Sequence, residues 1–405
     1  MDLTGAGRVG TGLTGTGLTE EQRDLRDAVR GLLARHAPAA AAAPPGAPGW
    51  DRPLWQRLCG EIGVAGLAIP ERYGGAGAGP AETHVVMAEL GRTLAAVPLL
   101  GSAVLTAQAL MAAGDDAACR RLLPGIAAGT AIAALAWTPQ AGRWDPAEAA
   151  FAATPRAAPP AAGGDAAGWL LTGEAHYVLD GDVADVLVAA ARTSAGTALF
   201  EVDPAGPGVS RAAAVTMDTT RRLAVVRLDG APGTLIGSPG GRPALAQARD
   251  LACIALSAEQ VGTAQRALEL TVAYTKERVQ FGRPIASFQA LQHRLAHLHV
   301  LVESGWALSW AAAEAVAAGA ADPGLRAADP GLRAAAAKAY CSETLQAVAA
   351  EMIQLHGAIG ITWEHDAHRY LKRAHGAAQL FGSPADHIGR IAATVLQDGR
   401  AGTVP

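Results

Sequence analysis

Apolar positions recur at helical spacing through the first third of the chain, at strand-like spacing through the next stretch, and at helical spacing again to the end. Thr19, followed by Glu20, Glu21 and Gln22, reads as a helix start with acidic residues in its first turn. Leu25, Val29, Leu32 and Leu33 then repeat three to four residues apart. A second helix is predicted over 53–62 with Trp55 and Leu58 inward, and further helices over 81–95, 98–113 and 115–123. Residues 18–130 therefore read as an all-helical domain. From Ala131 the apolar runs shorten and are split by Gly, Pro and Asp: AIAALAW, GWLLTGEAHYVL, DVLVAAAR, ALFEV and RLAVVRLDG. That texture predicts a β domain over 131–237, with a loose Ala/Pro loop over 141–166. Helical spacing returns at Pro243. It predicts one long helix over 245–279, another from Phe288 to about Ala318, a third from about Arg333 to Leu355, and shorter ones over 364–378 and 384–397. Gly262 inside the long helix predicts a close helix crossing. Residues 238–398 form this last block, and helices, strands, helices in that order give an α+β chain in three blocks.

The remaining segments are connectors. Residues 1–17 are a Gly/Thr-rich tail, 37–49 an Ala/Pro/Gly linker and 399–405 a second tail. The direct repeat ADPGLRA at 321–327 and 328–334 reads as a turn insertion because of its Pro–Gly pairs. The loop GVAGLAIPERYGGAGAG at 63–79 has glycines that suit tight turns, but no strand–loop–helix phosphate motif surrounds them.

Composition narrows the function classes. Half the residues are apolar and only 4% aromatic, so Ala, Leu and Val build the core. A net charge of -4 gives no reason to expect nucleic acid or an anionic membrane surface. Cys59, Cys119, Cys253 and Cys341 are far apart and lack metal or redox spacing, which points to reduced thiols, no metal and a cytoplasmic protein. No run of about 18 apolar residues is free of charges and turn breakers, so no membrane span is expected.

The densest chemistry lies in LELTVAYTKERVQFGRPIASFQALQHRLAHL, residues 268–298. A helix carries Arg278 and Phe281 to a turn punctuated by Gly282 and Pro284, and a second helix starts with Phe288, Gln289 and Gln292. A guanidinium fork suits a phosphate, and a Phe face suits a flat ring.

Three stretches resemble the acyl-CoA dehydrogenase family: YTKERVQFGRPIASFQALQHRLAHL, QLHGAIGI at 354–361 and LAIPERYGGAG. The resemblance runs from Leu18 to about Gln397. It implies an N-terminal helical domain, a middle β-sandwich or barrel, and a C-terminal four-helix bundle. It implies FAD at a subunit interface, an acyl-CoA substrate, an electron-transfer flavoprotein or similar acceptor, and a homo- or hetero-oligomer, dimer or tetramer. By the same resemblance, Arg278, Phe281 and Gln289 meet the FAD pyrophosphate of a neighbouring subunit. Gln354, Gly357 and Ala358 touch the adenosine side, and Trp137, Thr138 and Tyr177 lie at flavin-contacting turns.

The pattern fails where the family keeps its base. Family members take the α proton with a carboxylate placed 27 residues beyond the Gln of the second stretch, or 26 before the signature Arg; here those positions are Phe381 and Ala252. The family's CoA-holding Arg position is Cys253, although Asp250 is retained. The middle-domain turn T-E-P-x-x-G-S-D is TPQAGRWD here, without its Glu and Ser. Glu259 is a candidate for a displaced base, two turns along from Ala252, with an ion-paired helix residue as its plainer reading. His356 and His375 read as structural. The expectation is an FAD-dependent acyl-CoA dehydrogenase acting as the base-lacking subunit of a heteromer, of the kind linked to steroid or other bulky acyl-CoA breakdown. The alternatives are a flavin monooxygenase or oxidase on the same fold, and a non-catalytic scaffold.

Overall fold

A computed structural model of the chain describes residues 17–36, 50–156, 168–238, 240–321 and 330–401. The 37–49 linker lies outside the described residues, as do almost all of the N-terminal tail, part of the Ala/Pro loop, part of the ADPGLRA repeat and most of the C-terminal tail.

The N-terminal block is helical: α1 (Glu20–His36), α2 (Arg52–Arg57), α3 (Pro80–Arg92), α4 (Ala107–Ala112) and α5 (Asp116–Ala127). Its start is the reciprocal cap that the sequence suggests. Thr19 N donates to Gln22 Oε1 at 3.0 Å, and Gln22 N donates to Thr19 Oγ1 at 3.2 Å. Two stretches predicted as plain α-helix widen into π-helical turns, Leu58–Ile62 and Leu99–Thr106. In the second, Gly101 packs so tightly on Leu179 that a Cβ there would lie 2.8 Å from the Leu179 Cβ.

The middle block has seven strands: β1 (Ala133–Ala136), β2 (Phe151–Pro155), β3 (Trp169–Leu179), β4 (Val186–Thr193), β5 (Gly196–Val202), β6 (Val209–Ala213) and β7 (Leu223–Ile236). Pairing runs β4–β2–β3–β7–β5 and returns to β4, so the ring closes into a small barrel, with β1 alongside β4 and β6 alongside β7. Strand period two sorts β4 between two cores. Leu187, Ala189 and Ala191 face the barrel interior, while Val188 and Ala190 face a second core. That second core includes residues of α1, α3 to α5, β1 and the long C-terminal helix, so all three blocks share it.

The C-terminal block is a bundle of α6 (Arg242–Glu277), α7 (Gln289–Ala321), α8 (Pro330–His356), α9 (Ala367–Gln379) and α10 (Pro384–Ala401); a two-residue hairpin of β8 (Val279–Gln280) and β9 (Arg283–Pro284) joins α6 to α7. α6 crosses α3 with backbones nearly touching. A Cβ on Gly262 would lie 2.0 Å from Ala88 O, and one on Gly91 would lie 2.1 Å from Glu259 O. No helix among the described residues is long and apolar enough to cross a membrane.

Candidate functional site

Two separate centres emerge, one at each end of the working length of α6. The first is the bundle end. α6 stops at Glu277, and Arg278 turns into extended backbone (φ -69, ψ 116). The hairpin tip puts Phe281 and Gly282 at φ 55 and 78, the paired left-handed conformation of a tight two-residue turn. Phe281 stands 91% exposed. A bulky residue in that conformation, with its ring mostly in solvent and touching only the edge of Phe288 at 6.1 Å, gains little from packing, which marks the position as one kept for contact. Arg283 lies 4.0 Å over the Phe288 ring and braces the tip from behind.

The second stretch reaches the same end from α8. His356 stacks on Tyr274 with ring centroids 4.3 Å apart, and Tyr274 OH donates to the His356 carbonyl at 3.4 Å. Gln354, Gly357 and Ala358 are exposed beside this junction. Gly357 takes φ 63 with open space where a side chain would stand. The structure therefore gathers Arg278, Phe281, Gln289, Gln354, Gly357 and Ala358 at one end of the bundle. Their set of a guanidinium, an aromatic face, amides and an open glycine turn suits a phosphate joined to flat rings. Ile361 and Trp363, exposed at the same end with Lys372 over the Trp363 ring at 4.6 Å, were not singled out by pattern. Large apolar residues just after a glycine turn were their signal. His356 Nδ1 bonds the Met352 carbonyl at 2.7 Å, and His375 is exposed on α9.

The second centre is a crevice between the barrel and the bundle. Trp137 and Thr138 follow β1 and are buried, and Trp137 Nε1 and Thr138 Oγ1 have no hydrogen-bond partner. Tyr177 sits in an irregularity of β3 at φ 57 and is 40% exposed. Phe381 is buried in the turn after α9 at φ 63. Trp144 stands at the centre of these rings. It lies 5.2 Å from Phe381, 6.0 Å from Trp137 and 6.3 Å from Tyr177. Edge-to-face contacts of this kind hold rings firmly. Trp144 occupies the Ser position of the altered TPQAGRWD turn. A Trp there stands half-buried among these rings.

Both positions where the family keeps its base are apolar, and Phe381 lies in this centre. Ala252 is fully buried. Its neighbour Cys253 lies 4.0 Å from His387, whose ring also borders Gly382, next to Phe381. Glu259 is engaged otherwise, which corrects its candidacy as a displaced base. Its carboxylate receives Arg373 Nη1 at 2.6 Å and is also bonded by Arg221. Burial alone would raise its pKa, but attraction from Arg221 and Arg373 outweighs that and holds it below the ordinary value. Arg373 also bonds Thr220 and Asp218, so this buried ionic cluster ties α6 and α9 to the barrel. Asp250 is likewise occupied, bonded through both oxygens by Arg390 and through one by Arg249.

The glycine-rich loop does not form a phosphate cradle. Its amides turn onto its own carbonyls, with Gly77 N to Ile69 O at 2.9 Å and Ala76 N to Gly66 O at 2.9 Å. A Cβ on Gly75 would lie 1.9 Å from Ile69 O, so that glycine answers to packing.

Comparison with known proteins places these features. The family model described as acyl-CoA dehydrogenase, N-terminal domain, matches residues 19–130, and the one described as acyl-CoA dehydrogenase, C-terminal domain, matches residues 241–396. "Acyl-CoA dehydrogenase IpdE2" of Mycobacterium tuberculosis is 41% identical over 380 residues, covering 93% of this chain and 98% of the relative. Among solved structures, a point variant of the Tcur3481-Tcur3483 steroid ACAD superposes with a TM-score of 0.80 at 30% identity, covering 94% of this chain and 99% of that one. The ChsE4-ChsE5 complex from Mycobacterium tuberculosis gives a TM-score of 0.78 at 28% identity, with 96% and 99% covered.

Proposed function

Because the chain belongs to the acyl-CoA dehydrogenase family, we propose that it is the base-lacking subunit of a heteromeric, FAD-dependent acyl-CoA dehydrogenase. One observation carries the reading: both positions that could hold the proton-abstracting carboxylate are buried and apolar, and at one of them the Phe381 ring packs against Trp144. Abstraction of an α proton needs a carboxylate within hydrogen-bond reach of the substrate, and neither Phe381 nor Ala252 can accept a proton. The bundle end has the opposite character. Arg278, Phe281, Gln289, Gln354, Gly357 and Ala358 are exposed.

These residues fit the pyrophosphate and adenosine of FAD. Arg278 would hold the pyrophosphate through its fork, and the open turn at Gly357 would let backbone N–H groups approach it. When bound, the flavin takes up the hydride from the acyl β carbon. This chain's contribution is to anchor and orient that flavin for a subunit that supplies the base. Trp137 and Tyr177, two of the expected contacts of the chain's own flavin ring together with Thr138, pack on Trp144. Resemblance to a steroid enzyme of two named components and to the ChsE4-ChsE5 complex supports a two-subunit assembly and a bulky acyl-CoA. Electrons would leave to an electron-transfer flavoprotein or similar acceptor.

Purification of the chain alone and together with a related chain that retains the Glu tests this. The expected result is no acyl-CoA oxidation by the chain alone and activity in the complex. Arg278→Ala should weaken FAD retention by the complex roughly 10- to 100-fold, the loss of charge-assisted hydrogen bonds worth about 1.5–3 kcal/mol. Stoichiometric FAD and turnover by the isolated chain would refute the proposal.

A further inference from the structure

We propose that Lys338 is the positioning residue that holds the Phe381–Gly382 turn in its left-handed form and keeps the Phe381 ring against Trp144. The inference rests on reading position 381 as the closed base site of a partner subunit, but the turn itself can be tested without flavin.

Lys338 lies on α8 with its side chain fully buried. Its ammonium donates to Ser342 Oγ at 3.0 Å, to the Ala378 carbonyl at 3.1 Å and to the Gly382 carbonyl at 3.2 Å. Three donors thus meet three neutral oxygens. Ser342 Oγ in turn donates to the Lys338 carbonyl at 2.6 Å and accepts from Gln260 Nε2 at 2.9 Å, so α6 also sets the place of the ammonium. The two gripped carbonyls bracket Phe381, one in the last turn of α9 and one just past the ring.

The turn needs such a grip. Phe381 and Gly382 have φ of 63 and 113. The left-handed conformation is unfavourable for a residue with a Cβ, and a free Phe would leave it. Carbonyls that face one cation from both sides of the turn oppose that relaxation. A burial this deep would expel an unpaired ammonium, so the grip works in both directions: the carbonyls keep the charge, and the charge keeps the turn.

Charge on Lys338 can be changed without changing the chain. Burial pushes its pKa down to about 8. The titratable groups that face it are Cys253 on α6, Cys341 on its own helix, and Asp386 and His387 on α10. Burial pushes both thiols up to about 12 and the His387 ring down to about 4. Hydrogen bonds from Ser383 hold Asp386 low. Between about pH 7 and 9, the charge that changes in this cluster is therefore that of Lys338.

The chain has five phenylalanines. Fluorophenylalanine labelling of the full chain therefore gives a short fluorine spectrum, in which Phe381→Leu identifies the Phe381 signal. Titration of the wild-type chain should shift that signal with a midpoint near 8, leaving the others steady. Lys338→Met should start at the shifted position and not titrate, and Lys338→Arg should restore the wild-type position. Trp144→Leu should move the signal in the wild type but not further in Lys338→Met. A Phe381 signal that stays flat through the wild-type titration overturns the proposal, even if Lys338→Met fails to fold. So does a folded Lys338→Met chain with the wild-type spectrum. Failure of the partner-subunit reading would appear elsewhere, as turnover by the isolated chain with these spectra unchanged.

Discussion

Glu259 and Lys338 are both buried charges near the crevice, and their surroundings give them different roles. Glu259 has Arg221 and Arg373 as partners, and Arg373 is in turn bonded to Thr220 and Asp218. Removing one member of a buried ion cluster leaves the others uncompensated, which is worth about 3–5 kcal/mol. Glu259→Gln should therefore lower unfolding stability by that order in a urea titration. A displaced base would behave differently, losing turnover at unchanged stability. That the two expected base positions carry no carboxylate was legible in the sequence, because spacing from Gln354 and Arg278 leads directly to Phe381 and Ala252. What stands in its place was not legible. Trp144 stands at the position of a lost Ser, and Lys338 is one of only three lysines in the chain, set in an Ala-rich helix. Their partners lie far away along the chain, 40 residues off in the case of Lys338 and Ala378. Only folding brings them together.

Among elements, α6 organises the molecule. Its length was readable from the apolar repeat, as were the helices at either side and the run of short strands. Gly262 signalled a close crossing, and its counterpart Gly91 shows where it occurs. A methyl group at position 262 would meet Ala88 O at 2.0 Å, a backbone atom that cannot rotate away. Gly262→Ala should force α3 from α6 and cost about 1–3 kcal/mol, the usual penalty of overpacking. A lowered thermal midpoint would register it, and an unchanged midpoint would mean that the two helices part freely. The π-helical turns at Leu58–Ile62 and Leu99–Thr106 escaped prediction. An extra residue per turn leaves the local apolar pattern nearly intact, and the demand for it comes from packing, as at Gly101 on Leu179. Closure of the strands into a barrel was likewise open, since pairing of β4 with both β2 and β5 joins segments that no local pattern links.

For the molecule as a whole, the decisive quantity is the separation of the two centres. Cys253 and Arg278 lie 25 residues apart along the sequence, which is roughly 37 Å of helix axis. The Trp144 and Phe381 rings lie near the first and the exposed hairpin at the second. On the proposed reading, a complex with a Glu-bearing partner should carry one flavin for each pair of unlike subunits, measured by absorbance against protein concentration. A flavin on every subunit would mean that Trp144 yields its place, and the reading of the crevice would fall. The sequence by itself determined the order of helical and strand blocks, the family, and the apolar residues at the two positions where the family keeps its carboxylate, because periodicity and motif spacing are local properties of the chain. Tertiary structure alone decided that the Arg278 hairpin and the Gln354 turn share one end, that Glu259 is ion-paired with Arg221 and Arg373, that Trp144 packs on Phe381, and that Lys338 bonds the carbonyls either side of it. Those facts are contacts between distant residues, and contacts exist only once the shared core has fixed where each element lies.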